Sequence, residues 1–162
     1  MTSNTLYVLD AAGVYQPADA AIIVAEAKRR LASRFRRGAV LDSPAAATEA
    51  IQLKLAEREH EVFGCLYLDH RHRVIEFAEL FRGTIDAASV YPREVVKAAL
   101  GCNSAAVIFF HNHPSGEASP SEADKTLTHR LRTALALVDI RVLDHFVIGG
   151  DTVYSFAESG LL

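Results

Sequence analysis

Ser104-Ala105-Ala106-Val107-Ile108-Phe109-Phe110 runs directly into His111-Asn112-His113-Pro114-Ser115-Gly116-Glu117-Ala118-Ser119-Pro120-Ser121-Glu122-Ala123-Asp124, and this stretch decides the architecture. The run from Ser104 to Phe110 is apolar on both faces, as in a strand covered from both sides. Pro, Ser and Gly mark a loop over residues 114–120, and a helix is expected from about Ser121 to Val138. Beyond it, Arg141 to Ile148 and Thr152 to Phe156 read as two further strands. Upstream, Pro92 opens a helix whose buried stripe is Val95, Val96, Ala99 and Leu100. Val62 to Leu68 and Val74 to Phe81 form an antiparallel hairpin across the polar turn His70-Arg71-His72-Arg73. Ser43-Pro44 is an N-cap followed by Pro at the first helical position, and Ala47, Ile51 and Leu55 give that helix an apolar stripe to about Arg58. Earlier still, Thr5 to Leu9 is a short strand. Residues 18–37 are a helix with Ile23, Ala27, Leu31 and Phe35 every fourth position, closed by Gly38. The expected class is α/β, a single mixed sheet with flanking helices. A strand-helix extension over 1–39 precedes the main domain, 40–162.

Composition narrows the function. With 162 residues, 17 Lys+Arg and 20 Asp+Glu, the chain is near neutral, unlike a whole-surface nucleic-acid binder. Half of its residues are hydrophobic, which excludes a disordered tail. Cys65 and Cys102 are too few for a disulfide framework or a Cys-rich zinc site. No apolar run approaches the roughly 18 residues of a membrane span. Met1-Thr2-Ser3-Asn4 lacks the basic and apolar regions of a signal peptide, so a cytoplasmic protein without a membrane partner is expected. A (β/α)₈ metallohydrolase would need about 250 residues. Lys28, Arg29, Arg30, Arg34, Arg36 and Arg37 cluster at one helix end. There the macrodipole favours cations, and a patch for phosphate or an acidic partner is the other reading.

The chemistry lies in the stretch quoted first. In extended backbone, residues i and i+2 point the same way, so His111 and His113 share a face at the strand end. Ser121 and Asp124 are neighbours on the first helical turn. If the loop folds the helix N-terminus back beside the strand, two imidazoles and a carboxylate converge. That is a three-ligand set for Zn²⁺ with a fourth position open to water. Ser121-x-x-Asp124 also reads as a capping box, and Ser121 can cap the helix while facing a metal. His145 reads as a core histidine, or one that supports a ligand, on a face shared with Leu143 and Val147.

His111-x-His113-Pro114, seven residues, then Ser121-x-x-Asp124 resembles the JAMM signature of JAB/MPN-domain zinc metallopeptidases. His111-Asn112-His113-Pro114-Ser115-Gly116, Gly83-Thr84-Ile85, Tyr91-Pro92-Arg93-Glu94-Val95-Val96 and Leu143-Asp144-His145 resemble its RadC-like branch, from about Val40 to Leu162. The resemblance implies a JAB/MPN (cytidine-deaminase-like) fold, with Zn²⁺ on His111, His113 and Asp124. It implies that Ser121 hydrogen-bonds the developing oxyanion or the water, and that an upstream Glu moves the proton. Glu61 is the choice for that Glu; Glu59, Glu76 and Glu79 are the other candidates. The implied activity is hydrolysis of peptide or isopeptide bonds in a protein or peptide substrate. The alternative is a DNA-repair-associated or partner-binding module without peptidase activity. Proteins bearing the RadC name commonly carry a helix-hairpin-helix module for DNA, and residues 1–40 show no such pair of helices. Nucleic acid and a second copy of the chain (a homodimer) stay open as partners.

Overall fold

Alternate side chains along the apolar strands face opposite ways, so the sheet needs cover on both sides, and helices supply it. The computed structural model describes residues 5–40, 44–55, 58–83 and 90–162. Its elements in chain order are β1 (Tyr7–Leu9), β2 (Tyr15–Pro17), α1 (Ala20–Arg34), α2 (Pro44–Leu55), β3 (Val62–Leu68) and β4 (Val74–Arg82). They continue with α3 (Pro92–Gly101), β5 (Ala106–Asn112), α4 (Glu122–Ala136), β6 (Arg141–Gly149) and β7 (Thr152–Ser155). The main sheet has the order β4-β3-β5-β6-β7. Among the described strands only β5 and β6 pair in parallel, joined by α4, so the sheet is mixed, as the sequence pattern implied.

β3 and β5 lie near the middle and are buried along their whole lengths. On one face, Val62, Leu66, Ile108, Phe110, Phe146 and Ile148 pack beneath Ala47, Ile51 and Leu55 of α2. On the other, Phe63, Cys65, Tyr67, Val107 and Phe109 meet Val95 and Ala99 of α3 and Leu131 and Leu135 of α4. Each large apolar side chain buried this way contributes roughly 1.5–3 kcal/mol. The two faces together therefore fix which strand end meets which helix start.

Several expectations change. Leu100, the ninth residue of α3, is 53% exposed, and the helix turns only Val95 and Ala99 fully inward. The first long helix runs over 20–34 rather than 18–37, capped by Asp19, whose side chain accepts from Ile22 N–H at 2.8 Å. Of its four-residue stripe, Ile23 and Ala27 stay exposed, while Leu31 and Phe35 are half-buried. Phe35 lies 4.5 Å from the Phe77 ring. The Thr5–Leu9 strand gains a partner, β2, in a two-stranded sheet apart from the main one. α2 is described over Pro44–Leu55; residues 56–57, through which the expected helix would continue to about Arg58, the Ser43 cap and Thr84-Ile85 lie outside the described residues. Leu143 and His145 do not share a face. A bulge pairs Val107 with Val142 but Ile108 with Asp144, so Leu143 turns to the α2 side and the alternation restarts.

Candidate metal centre

The expected convergence takes place where β5 ends and α4 begins. His111 is the penultimate residue of β5 and points to the α4 face, 2% exposed, beside the Phe63 ring. His113 lies two residues on, with its backbone N–H on Ile148 O. Asp124 stands in the first turn of α4 behind the Ser121 cap. The Nε2 atoms of His111 and His113 are 2.9 Å apart. His111 Nε2 is 3.4 Å from Asp124 Oδ1, and His113 Nε2 is 3.6 Å from Oδ2. Ligands held tetrahedrally at about 2.0–2.2 Å from a zinc ion lie about 3.3–3.6 Å from one another. The three donors therefore fit around one ion with small adjustment, and they form a cluster able to hold a metal.

The hydrogen bonds decide what these nitrogens offer. His113 Nδ1 lies 2.7 Å from Glu117 O. A carbonyl only accepts, so Nδ1 carries the hydrogen and, in the neutral ring, Nε2 presents a lone pair. For the other imidazole, the Thr128 hydroxyl donates to Asp124 O at 2.6 Å, so its oxygen accepts from His145 Nδ1–H at 2.6 Å. His145 Nε2 is then an acceptor and takes the His111 Nδ1 hydrogen at 2.8 Å. His111 Nε2 is thereby also bare. Two lone pairs face each other across 2.9 Å beside a carboxylate, an arrangement that calls for a cation between them.

Charge and burial bear this out. Burial drives His111 down to about 4, against the pull of Asp124. Asp124 raises His113 above its ordinary value. Burial works to raise Asp124, but the facing His113 ring and the Ser121 hydroxyl outweigh it and hold the carboxyl far below the carboxylate range. His145, fully buried, is held well below an ordinary imidazole by desolvation. The shifts of His111 and His145 favour neutral rings and that of Asp124 an ionised carboxylate, while the upward shift of His113 marks the pull of that carboxylate for positive charge at the recess, a charge a metal ion would supply.

Ser121 forms the expected capping box: its hydroxyl donates to Asp124 Oδ2 at 2.6 Å and accepts from Asp124 N–H at 3.1 Å. Its backbone N–H adds a second bond to Oδ2 at 2.7 Å. The hydroxyl hydrogen is thus spent on the carboxylate, leaving Oδ1 toward His111.

Glu61 immediately precedes β3 and is half-buried. Desolvation raises its pKa, His113 opposes that rise and Asp124 adds to it, so its carboxyl lies within the electrostatic reach of the cluster. Its rivals are placed elsewhere. Glu79 is bonded to Arg58 at 2.7 Å, and Glu59 and Glu76 are exposed. Asn112, between the two imidazoles in sequence, holds the backbone on both sides of Glu61. Its Oδ1 accepts from Val62 N–H at 2.8 Å and its Nδ2 donates to His60 O at 3.1 Å. Reading by sequence left this backbone clamp of Asn112 unassigned. Thr128 it missed altogether, since a mid-helix Thr carries no local signal.

Among the basic residues of α1, Arg29 and Arg30 both pair with Glu26, at 2.6 and 2.7 Å, and Arg34 with Glu49 at 3.5 Å. Among the described residues, no helix is long and apolar enough to cross a membrane.

Comparison with known proteins falls on the same segment. The model of the family described as "RadC-like JAB domain" matches residues 41–161. The chain is 57% identical over 150 residues to a UPF0758 protein of Methylibium petroleiphilum, covering 93% of this chain and 68% of the relative. It is 58% identical over 140 residues to a UPF0758 protein of Vibrio cholerae, covering 86% and 88% respectively. To that of Ectopseudomonas mendocina it is 58% identical over 134 residues, 83% of this chain but only 60% of the relative's length.

Proposed function

This chain belongs to the RadC-like JAB domain family, and on that premise we propose that it is a zinc-dependent hydrolase of peptide or isopeptide bonds. The observation that carries the proposal is the facing pair of unprotonated imidazole nitrogens, 2.9 Å apart with Asp124 beside them. Such an electron-rich recess is costly unless a cation fills it, and two nitrogens with one carboxylate oxygen suit zinc with a position left for solvent. When bound, zinc supplies a Lewis acid and a water acidified to a pKa near 7.

The remaining steps belong to the chain's own side chains. Glu61 accepts a proton from the attacking water on its carboxylate oxygen and returns it to the nitrogen of the departing amine. Its partly desolvated setting raises its proton affinity, which suits a group that must both take and give. Asn112 keeps Glu61 at the cluster by gripping the backbone before and after it. Ser121 holds Asp124 Oδ2 and so aims Oδ1 at the recess; an oxyanion role for Ser121 requires its hydroxyl to turn from that oxygen. The first turn of α4 adds its own partial positive charge beside any developing anion.

Metal analysis and a peptide library test the proposal together. The purified chain should carry about one zinc, lost in His113→Ala, and Glu61→Gln should keep the metal while losing turnover. A chain without metal, or a Glu61→Gln variant with full turnover, overturns it. The other reading, a DNA-repair-associated or partner-binding module, draws on the basic residues from Lys28 to Arg37. A salt-dependent DNA shift abolished by neutralising Arg36 and Arg37, from a chain inert toward amide bonds, would favour that reading.

A further inference from the structure

Beneath the two imidazoles lies a second polar pair that the hydrolase chemistry does not use. His145 on β6 is completely buried among the rings of Phe63, Phe109 and Phe156, with centroids at 5.7, 5.7 and 4.8 Å. Thr128, one turn beyond Asp124 in α4, is also buried. A histidine in so apolar a cage needs both ring nitrogens satisfied, and here both are. Nε2 meets His111 Nδ1 at 2.8 Å, and Nδ1 meets the Thr128 hydroxyl at 2.6 Å. The hydroxyl in turn donates to Asp124 O at 2.6 Å. The path therefore begins on one candidate ligand and ends on the backbone of another, crossing from β5 through β6 to α4.

Each link has a fixed direction. The Asp124 carbonyl only accepts, so the Thr128 hydrogen points at it and the Thr128 oxygen receives the hydrogen of His145 Nδ1. One hydrogen per neutral imidazole leaves His145 Nε2 as an acceptor. His111 must then donate from Nδ1 and present Nε2 to the recess. Were Thr128 unable to accept, His145 would have no reason to carry its hydrogen on Nδ1, and His111 would lose its reason to carry none on Nε2. The same hydroxyl ties the backbone of the Asp124 turn to the sheet, which sets how far the carboxylate stands from the imidazoles.

We infer that His145 and Thr128 are positioning residues for the metal centre: they select the Nε2-presenting tautomer of His111 and fix the Asp124 turn of α4 against β5. The inference rests on the proposed reading of His111, His113 and Asp124 as metal ligands. His145 is not itself a ligand, because both of its nitrogens are spent along the path and it stands outside the donor cluster.

Thr128→Val removes the hydroxyl at nearly constant volume, and Thr128→Ser restores it. Two measurements on the full chain are needed: zinc dissociation constants by chelator competition, and ¹⁵N imidazole spectra of the metal-free protein. Loss of a group that orients a ligand weakens metal affinity about 10–100-fold, and that loss is expected for Thr128→Val, with Thr128→Ser within a few-fold of wild type. In the spectra, wild type and Thr128→Ser should show His111 protonated on Nδ1 alone, and Thr128→Val a mixture of tautomers. Equal zinc affinity in wild type and Thr128→Val, with one His111 tautomer in both, overturns the inference. If wild type binds no zinc, the hydrolase reading falls, and the spectra still decide whether the pair selects the tautomer. Should Thr128→Val fail to fold, Thr128→Ala, which favours the helix, carries the same comparison.

Discussion

Gly149, the last residue of β6, is the seat on which the loop over residues 116–118 rests. A Cβ built there would lie 2.4 Å from Ala118 N, 2.5 Å from Glu117 C and 2.6 Å from Gly116 O. All three are backbone atoms, so no rotamer change relieves the contact; the loop itself must move. Ordinary contact begins at 3.4 Å, which sets the retreat at about 1 Å. Glu117 O accepts from His113 Nδ1 at 2.7 Å, and a retreat of that size carries it out of hydrogen-bond range. His113 then loses the partner that fixes both its tautomer and its ring plane, a loss of about 10–100-fold in metal affinity, or roughly 1.4–2.7 kcal/mol. Gly149→Ala should show this weakening in chelator competition for zinc while keeping its circular dichroism. Gly150→Ala is the control. Gly150 has φ +55° with nothing within 4 Å of its Cβ position, so alanine there meets about 1–2 kcal/mol of backbone strain but leaves the loop in place. It should melt earlier and bind zinc as wild type does. A Gly149→Ala protein with wild-type zinc affinity refutes the reasoning, because the backbone clash would then have been absorbed without touching His113.

Asn112→Ala should retain zinc but lower turnover at least tenfold, since it frees the segment carrying Glu61. It should also destabilise by about 1–3 kcal/mol through the stranded Val62 N–H and His60 O; a turnover unchanged at saturating peptide would sink the clamp. In the metal-free protein, stability should fall as pH drops from about 6.5 toward 4. His111, at about 4, and His145, held well below 6.5, must take up protons on unfolding, so the unfolded chain binds more protons in that window. His111 alone accounts for roughly 3 kcal/mol of that loss. His113 works the other way: with its pKa raised, its contribution is complete below about 6.5 and disappears as pH rises through its folded value. Urea midpoints and imidazole NMR titrations measure both effects, and a His111 ring that titrates near 6.5 in the folded protein contradicts the first.

What the sequence determined by itself is whatever repeats at short range. The alternation from Val62 to Leu68 and from Ala106 to Asn112 sets strand faces. Helical spacing places Ala47, Ile51 and Leu55 on one stripe. The i, i+2 and i, i+3 offsets put His111 beside His113 and Ser121 beside Asp124. Those relations span a few residues, so backbone geometry alone enforces them. Where local spacing and tertiary contact disagreed, contact prevailed. Leu100 continues a sound helical stripe yet faces solvent at 53% exposure, whereas Val95 and Ala99 of the same stripe are fully buried. The bulge at Leu143 turns His145 toward His111, whereas strict alternation would have kept it on the same side as Leu143. The supports of the recess arise only in the folded chain. Thr128 meets His145 across 17 positions, His145 meets His111 across 34, and Asn112 meets Val62 across 50. Gly149 is small because a loop about thirty residues upstream lies on it. No local preference encodes such pairings; they exist because two apolar faces, once buried, bring these particular strand ends and this one helix start to the same place.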